Sequence, residues 1–298
     1  MSVLGIVGLG LIGGSMALGY KVASIENRIV AMDVDPEALD YALDRGIIDS
    51  AVDSIAELTQ VADIICLCTP VKQLASIIPA LSDYQGVVTD VGSVKVPLIE
   101  ATEELWGGLP GNWVPGHPIA GSEQHSVRAA KADLFANHKT ILTPIDGVNP
   151  QCLDEVKALW QSLGAEVITM TVAHHDDVLA QTSHLPHLLA YTLVDVLAGF
   201  GDEREVFEYA AGGFRDFSRI AASDPEMWHD IFLTNKTALL QRLKTMIAAL
   251  DDTASMIENG DSDALMVKLS RAKAARDYFA DLQQADRKLP WQLSVGLL

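Results

Sequence analysis

Short apolar runs alternate with amphipathic, helix-sized segments through about residue 170 of the chain. The runs fall near residues 3–7, 28–33, 63–68, 87–90, 113–116, 140–143 and 165–169, with helix-sized stretches between most of them. Alternation of this kind predicts a mostly parallel sheet with helices on both faces. From Val172 onward the strand signals stop. Ser223-Asp224-Pro225-Glu226 is a strong helix start, and Trp228, Phe232, Leu239, Leu243, Met246 and Leu250 then hold one helical face. The spacing predicts one long helix whose stripe no single short neighbour could cover, and so a helical bundle shared between two subunits. The expected organisation is an α/β domain of Rossmann type over residues 1–171, an all-α dimerisation domain over 172–285, and a tail over 286–298. The final stretch from Leu289, uncharged and carrying Pro290 and Trp291, either docks on the core or is a disordered tail.

Composition narrows the class. A chain of 298 residues that is 49% hydrophobic can bury a sizeable core and divide into two domains. Its three cysteines lack metal-ligand spacing: Cys66 and Cys68 fall in the apolar run Ile64-Ile65-Cys66-Leu67-Cys68, which reads as a buried strand, and no disulfide framework is expected. A net charge of −19 excludes non-specific binding to nucleic acid, which needs the opposite sign. Residues 1–20 carry no charged side chain, but six of them are glycine and no basic segment precedes the apolar run. A strand followed by a glycine loop accounts for that stretch without a membrane span or a leader, and a soluble cytoplasmic protein is expected.

The glycine loop is the first piece of chemistry. Gly8-Leu9-Gly10-Leu11-Ile12-Gly13-Gly14 follows the first strand, and Asp33 sits twenty residues after Gly13. In a dinucleotide fingerprint Gly8 makes the tight turn, Gly10 lets the backbone approach a pyrophosphate, and Gly13 brings the next helix close to the sheet. The phosphates then lie on the helix N-terminus, where unpaired amides and the dipole favour an anion. Asp35 reads as an N-cap with Pro36 in the first turn, which leaves Asp33 for the ribose. No arginine lies between Val34 and Leu39 to receive a 2′-phosphate, so NAD is expected over NADP. The cofactor candidates are therefore Gly8, Gly10, Leu11, Ile12, Gly13 and Asp33, with Thr69 and Pro70 after the third main strand. NAD is itself anionic, and in so acidic a protein it must be held by a few local donors.

Ligands of an open α/β sheet lie beyond the carboxyl ends of its strands. Two further segments fall there, Asp90-Val91-Gly92-Ser93-Val94-Lys95 and Gly116-His117-Pro118-Ile119-Ala120-Gly121-Ser122-Glu123. His117, between glycine and proline, reads as a loop residue, either ordinary or functional. Ser93 is either a reactive-site hydroxyl or the cap of the helix that Pro97 starts. In Gln181-Thr182-Ser183-His184-Leu185-Pro186-His187 the two histidines share a helix face, and Pro186 weakens the helix between them. His174, His175, Asp176, Asp177, His184 and His187 match no metal-ligand spacing, and no metal is expected. Gly212-Gly213-Phe214-Arg215-Asp216-Phe217-Ser218-Arg219-Ile220 sets two arginines in an acidic chain, either paired with Asp216 or forming a fork for a substrate carboxylate.

Taken together, GLGLIGGS, TDVGSVK, GHPIAGSE, TSHLPH and AAGGFRDFSRIAASDPEMWHDIF, in that order, resemble the prephenate and arogenate dehydrogenase family of tyrosine biosynthesis, across nearly all of residues 3–280. The fit is closest to cyclohexadienyl dehydrogenases, which accept both substrates. The resemblance implies an NAD-dependent homodimer in which His117 accepts the proton of the substrate's ring hydroxyl and Ser93 hydrogen-bonds the same hydroxyl. It implies Arg219 as the carboxylate anchor, His187, Ser183, Ser122 and Trp228 as pocket lining, and Glu123, Asp216 and His184 as supporting or gating groups. The chain ends too soon after its last helix for the regulatory domain of some members, so any inhibition by tyrosine is expected at the active site. The competing readings are a β-hydroxyacid dehydrogenase of similar two-domain build, which leaves the His117 segment unexplained, and a non-catalytic NAD-sensing regulator, which binds the cofactor without turnover.

Overall fold

The computed structural model describes residues 2–121, 124, 126–200 and 208–288. Six parallel strands, β1 (Val3–Val7), β2 (Arg28–Met32), β3 (Ser50–Ala51), β4 (Ile64–Leu67), β5 (Val87–Asp90) and β6 (Trp113–Val114), pair in the order β3-β2-β1-β4-β5-β6. The order reverses between β1 and β4, and this switch point opens a crevice at the strands' carboxyl ends. Helices α1 (Leu11–Ala23), α2 (Pro36–Asp44), α3 (Ile55–Val61), α4 (Val71–Ile77), α5 (Val96–Trp106) and α6 (Pro150–Ser162) supply the crossovers and cover. Because strand side chains alternate, Leu4 and Ile6 pack with Met16 and Trp160 on one face while Val7, Ile65 and Leu67 pack with Leu74 and Leu98 on the other. Each fully buried aliphatic side chain here is worth about 1.5–3 kcal/mol.

The sequence pattern misses two features. β3 is only two residues long, too short to give an apolar run. The later strands do not extend the parallel sheet: β7 (Gly116–Pro118), β8 (Lys139–Leu142) and β9 (Glu166–Thr169) form a second sheet in which β7 runs antiparallel to β8. Only Pro115 separates β6 from β7, so the chain leaves one sheet and enters the other within a single residue.

Beyond β9 the chain is helical. α7 (Val172–Leu179) passes through one π-helical turn, Ala180–His184, into α8 (Leu185–Ala198). Pro186 falls in the first turn of α8, where its missing N–H costs little, and the wider turn before it absorbs the proline rather than ending the run. α9 (Gly212–Ser218) leads through a 3-10 turn, Arg219–Ala222, to α10 (Pro225–Thr234), which Asp224 caps by accepting from Met227 N at 2.9 Å. The single long helix expected from Trp228 to Leu250 is interrupted. Asn235 ends α10 with φ −99° and ψ 29°, and α11 (Lys236–Glu258) starts afresh. Trp228, Ile231 and Leu239 are buried, whereas Leu250 is exposed, so the stripe serves two environments.

The chain divides into two compact units, one ending at Leu240 and the other beginning at Gln241. The second holds most of α11 and α12 (Ser262–Lys288), and within it Lys268 Nζ donates to Ala249 O at 2.7 Å. It leaves Ile247, Leu250, Ile257, Met266, Val267, Leu269, Tyr278 and Phe279 exposed. The tail assigned to 286–298 lies outside the described residues from position 289 onward.

Candidate active site

The crevice begins at the glycine loop. Gly8 has φ +99°, and a Cβ there would sit 2.9 Å from Cys68 O, so the turn tolerates only glycine. A Cβ on Gly13 would sit 2.0 Å from Gly8 O, which is why α1 can start so close to β1. Gly10 faces open space, and α1 starts on it with no capping side chain and no acidic residue in its first turn. The amide donors of that turn are thus left for an anion. Asp33, at the end of β2, accepts from Leu9 N with one oxygen and from Asp35 N at 2.8 Å with the other. Each oxygen keeps a lone pair for a further donor such as a ribose hydroxyl. Asp35 caps α2 through Glu37 N at 2.9 Å. Thr69 Oγ1 is buried without a hydrogen-bond partner at the end of β4, beside Gly8. An open glycine, uncapped amides, an aligned carboxylate and an orphaned hydroxyl suit a dinucleotide.

His117 is not in a loop. It occupies β7 opposite Ile141 and is only 9% exposed. Its Nδ1 lies 2.9 Å from His175 Nε2, and His175 Nδ1 lies 2.7 Å from Asp176 Oδ1. The Asp176 carboxylate also accepts from Lys95 N at 2.9 and 3.2 Å and from Val96 N at 2.8 Å. The N-terminus of α5 is therefore capped by Asp176, from a distant segment, and not by Ser93, which stays half-buried in the loop before it. Lys95 is wholly buried and its ammonium donates to Asp90 Oδ2 and to Gly116 O, tying β5 to the strand that carries His117. Asp90 Oδ2 also accepts from Gly92 N at 2.9 Å. Asn235, at the break between α10 and α11, donates to Asp176 O at 2.8 Å and lies 3.1 Å from His184 Nδ1. The interrupted stripe thus delivers a polar residue to the site.

Burial dominates the electrostatics. It holds the His117 imidazole well below the usual histidine range, and the neighbouring His175, Lys95 and His184 push the same way. Burial likewise lowers His175 against the opposing Asp176 bond, and pushes His184 down to about 4. His187 is lowered by burial, partly offset by its bond to Ser183 O, and lowered further by the charge of Arg219. All four rings are neutral at pH 7.

Of the other residues the sequence singles out, His187 stacks on Trp228 with ring centroids 3.6 Å apart, and its Nδ1 donates to Ser183 O at 2.9 Å. His184 meets the same indole edge-on at 6.2 Å. The two histidines do share a face, and that face is Trp228. Arg219 is exposed at the start of its 3-10 turn. Among the described residues neither Arg215 nor Arg219 pairs with the exposed Asp216. Ser122 and Glu123 lie outside the described residues. The sequence reading missed Lys95, Asp90, Asn235 and the pairing of His175 with His117. The available signal was the HisAsp dipeptide 175–176, since charged groups are rarely this buried unless paired.

Two family profiles match successive parts of the chain. Residues 16–169 match the family profile described as prephenate dehydrogenase, nucleotide-binding domain, and residues 171–271 match prephenate dehydrogenase, dimerization domain. The chain is 36% identical to the cyclohexadienyl dehydrogenase of Zymomonas mobilis, over 92% of this chain and 94% of that one. It is also 36% identical to the prephenate dehydrogenase of Bacillus subtilis, over 91% of this chain and 74% of that one. The crystal structure of the Aquifex aeolicus prephenate dehydrogenase with hydroxyphenyl propionate and NAD+ superposes with a TM-score of 0.87 at 36% identity, covering 94% of this chain and 98% of that one. Among the described residues no helix is long and apolar enough to cross a membrane.

Proposed function

Because the chain belongs to the prephenate dehydrogenase family, we propose that it catalyses the NAD-dependent oxidative decarboxylation of prephenate to 4-hydroxyphenylpyruvate, and of arogenate to tyrosine, as a cytoplasmic homodimer. The observation that carries this reading is His117: a neutral, buried imidazole with one nitrogen already engaged, on the strand that leaves the sheet beside its carboxyl edge. The substrate carries a secondary alcohol at C4 of a cyclohexadiene and a carboxylate at C1. NAD, when bound, supplies the acceptor for the hydride on C4. His117 takes the hydroxyl proton as the carbonyl forms, a task for which a neutral histidine is suited near pH 7. Ser93 hydrogen-bonds the same hydroxyl and fixes its direction. The bond from C1 to its carboxylate then breaks, carbon dioxide leaves, and the electron pair stays in the ring and makes it aromatic, which supplies the driving force. The protein has to orient two anions in one cleft, and Arg219 with the free amides of α1 does so against a net charge of −19. Ser183, His187 and Trp228 line the pocket, Ser122 lines it too, and Glu123, His184 and Asp216 support it. Gly8, Gly10, Leu11, Ile12, Gly13, Thr69 and Pro70 hold the cofactor. The exposed apolar side chains of α11 and α12 supply the dimer contact, in the region that matches the family's dimerization domain. We place the domain boundary at residue 171.

The direct test is NADH formation with prephenate and then arogenate, under NAD and under NADP. Turnover of prephenate with NAD is expected, and no turnover of either substrate would overturn the reading. Asp33 should set the cofactor preference, since its carboxylate repels a 2′-phosphate. NAD should be preferred in kcat/KM, and Asp33→Ser should narrow the gap; equal use of NADP by the wild type would contradict this. Arg219→Ala removes a charge-assisted contact worth about 1.5–3 kcal/mol, so KM for prephenate should rise by roughly ten-fold or more while NAD affinity holds. An unaltered KM would move the anchor to Arg215.

A further inference from the structure

We propose that His175 and Asp176 are positioning residues for the reaction, acting through His117 as a buried His–His–carboxylate relay that fixes which nitrogen of His117 is free to take the substrate's proton. The inference rests on the reading of His117 as the base.

The argument is one of donor and acceptor direction. The Asp176 carboxylate accepts from two backbone amides at the start of α5, Lys95 N and Val96 N, so it is an acceptor at its remaining contact as well. His175 must then donate from Nδ1, 2.7 Å away. A neutral His175 with its proton on Nδ1 has only a lone pair at Nε2. The partner of that lone pair, His117 Nδ1 at 2.9 Å, must therefore carry a proton. A neutral His117 protonated at Nδ1 has its lone pair on Nε2, where a hydroxyl proton can be received. Reversing any one link would place a proton on Nε2 of His117 and abolish its function as a base.

The relay also answers an electrostatic difficulty. When His117 takes the proton, the O–H bond of the substrate breaks, an N–H bond forms at Nε2, and a cation appears in a buried site. Lys95 already places a positive charge nearby, and its own counter-ion, Asp90, is committed to it. His184 packs in the same region as a neutral ring, and Asn235 is a donor, so neither offers a negative charge. Asp176 is the carboxylate in line with the developing charge, reached through His175. The same group caps α5 and accepts Asn235 only through its backbone carbonyl, so its orientation is set by three elements. This is the logic by which a buried carboxylate holds a histidine in the tautomer that catalysis needs.

The test compares kcat, KM and the pH profile in full-length Asp176→Asn, His175→Phe and His175→Gln. An amide at 176 can keep its oxygen on the α5 amides only by turning its NH2 toward His175, which flips both imidazoles. Asp176→Asn and His175→Phe should each lower kcat by roughly 10²-fold, with KM for prephenate and NAD affinity changed by no more than about two-fold. His175→Gln, whose amide oxygen can still accept the Nδ1 proton of His117, should recover part of the loss. Added to His117→Asn, none of the three changes should lower kcat further, because all act through a group already removed. In the resting wild type, nitrogen NMR on histidine-labelled protein should show His117 and His175 both protonated at Nδ1. If the variants keep wild-type kcat while His117→Asn is inactive, the relay is overturned and the base stands. Losses that multiply in the double variants would also overturn it. If His117→Asn itself retains full activity, the reading of the base fails first. Should Asp176→Asn not fold, the two His175 variants and the tautomer measurement decide the matter on their own.

Discussion

Replacing Lys95 with methionine should destabilise the protein by about 3–5 kcal/mol, the cost of leaving a buried charge without its partner. Lys95 and Asp90 are both completely buried, and the ammonium also satisfies Gly116 O, so the substitution leaves the carboxylate with only the Gly92 amide and no counter-charge, and removes the carbonyl's side-chain donor. Asp90 Oδ1 already lacks a hydrogen-bond partner, which leaves no spare donor to take over. For a protein of this size the change corresponds to a fall in Tm of roughly 10 °C. Removing both charges should cost less than removing one, since a buried pair can be replaced by apolar groups at little loss. Asp90→Leu/Lys95→Met is therefore expected to melt above Lys95→Met alone. Thermal unfolding followed by circular dichroism checks both statements. A single variant that melts with the wild type would show that the pair does not hold β5 to the His117 strand.

The outcome for Lys95 marks the limit of what the sequence discloses. The dinucleotide-binding half was legible because its signals are local: a glycine spacing, an uncharged strand before it, and Asp33 after the next strand all lie within the first 33 residues. The helix start at Asp224 was legible for the same reason, since an N-cap acts within one turn. The break at Asn235 was not, because hydrophobic spacing continues across it and only tertiary contacts reward the interruption. His117 reads as a loop residue because a histidine between glycine and proline has poor strand propensity; the pairing of β7 with β8, more than twenty residues away, overrides that preference. Ser93 was a plausible cap by position, yet a carboxylate 81 residues from Lys95 does the capping instead. Contacts across such distances leave no local trace in one sequence. The joining of His117 to His175, 58 residues apart, is of this kind.

His117→Asn should lower kcat by roughly 10²-fold or more, the usual contribution of a general base. Asparagine keeps similar volume and a hydrogen-bonding group for His175 but cannot take up a proton. NAD binding should be nearly unchanged. Because the base must be neutral, wild-type kcat should fall as pH is lowered through a single ionisation of the enzyme-substrate complex. Burial places the imidazole of the free enzyme below the ordinary histidine value, so the matching fall in kcat/KM, which reports the free enzyme, belongs on the acid side of pH 6.5. Stability follows the same sign. The folded state holds His184 at about 4, below its value in the unfolded chain, so the unfolded state binds more protons and stability is lost as pH falls from 6.5 toward 4. Melting temperatures across the same buffers separate that effect from catalysis. If His117 were only structural, the variant would melt lower and keep its kcat. The measurement that bears most directly on the account is kcat against pH for the wild type and His117→Asn in one buffer series. The account predicts an acid limb in the wild type and a flat, roughly 10²-fold lower profile in the variant; a variant that keeps both the wild-type kcat and the acid limb would contradict it.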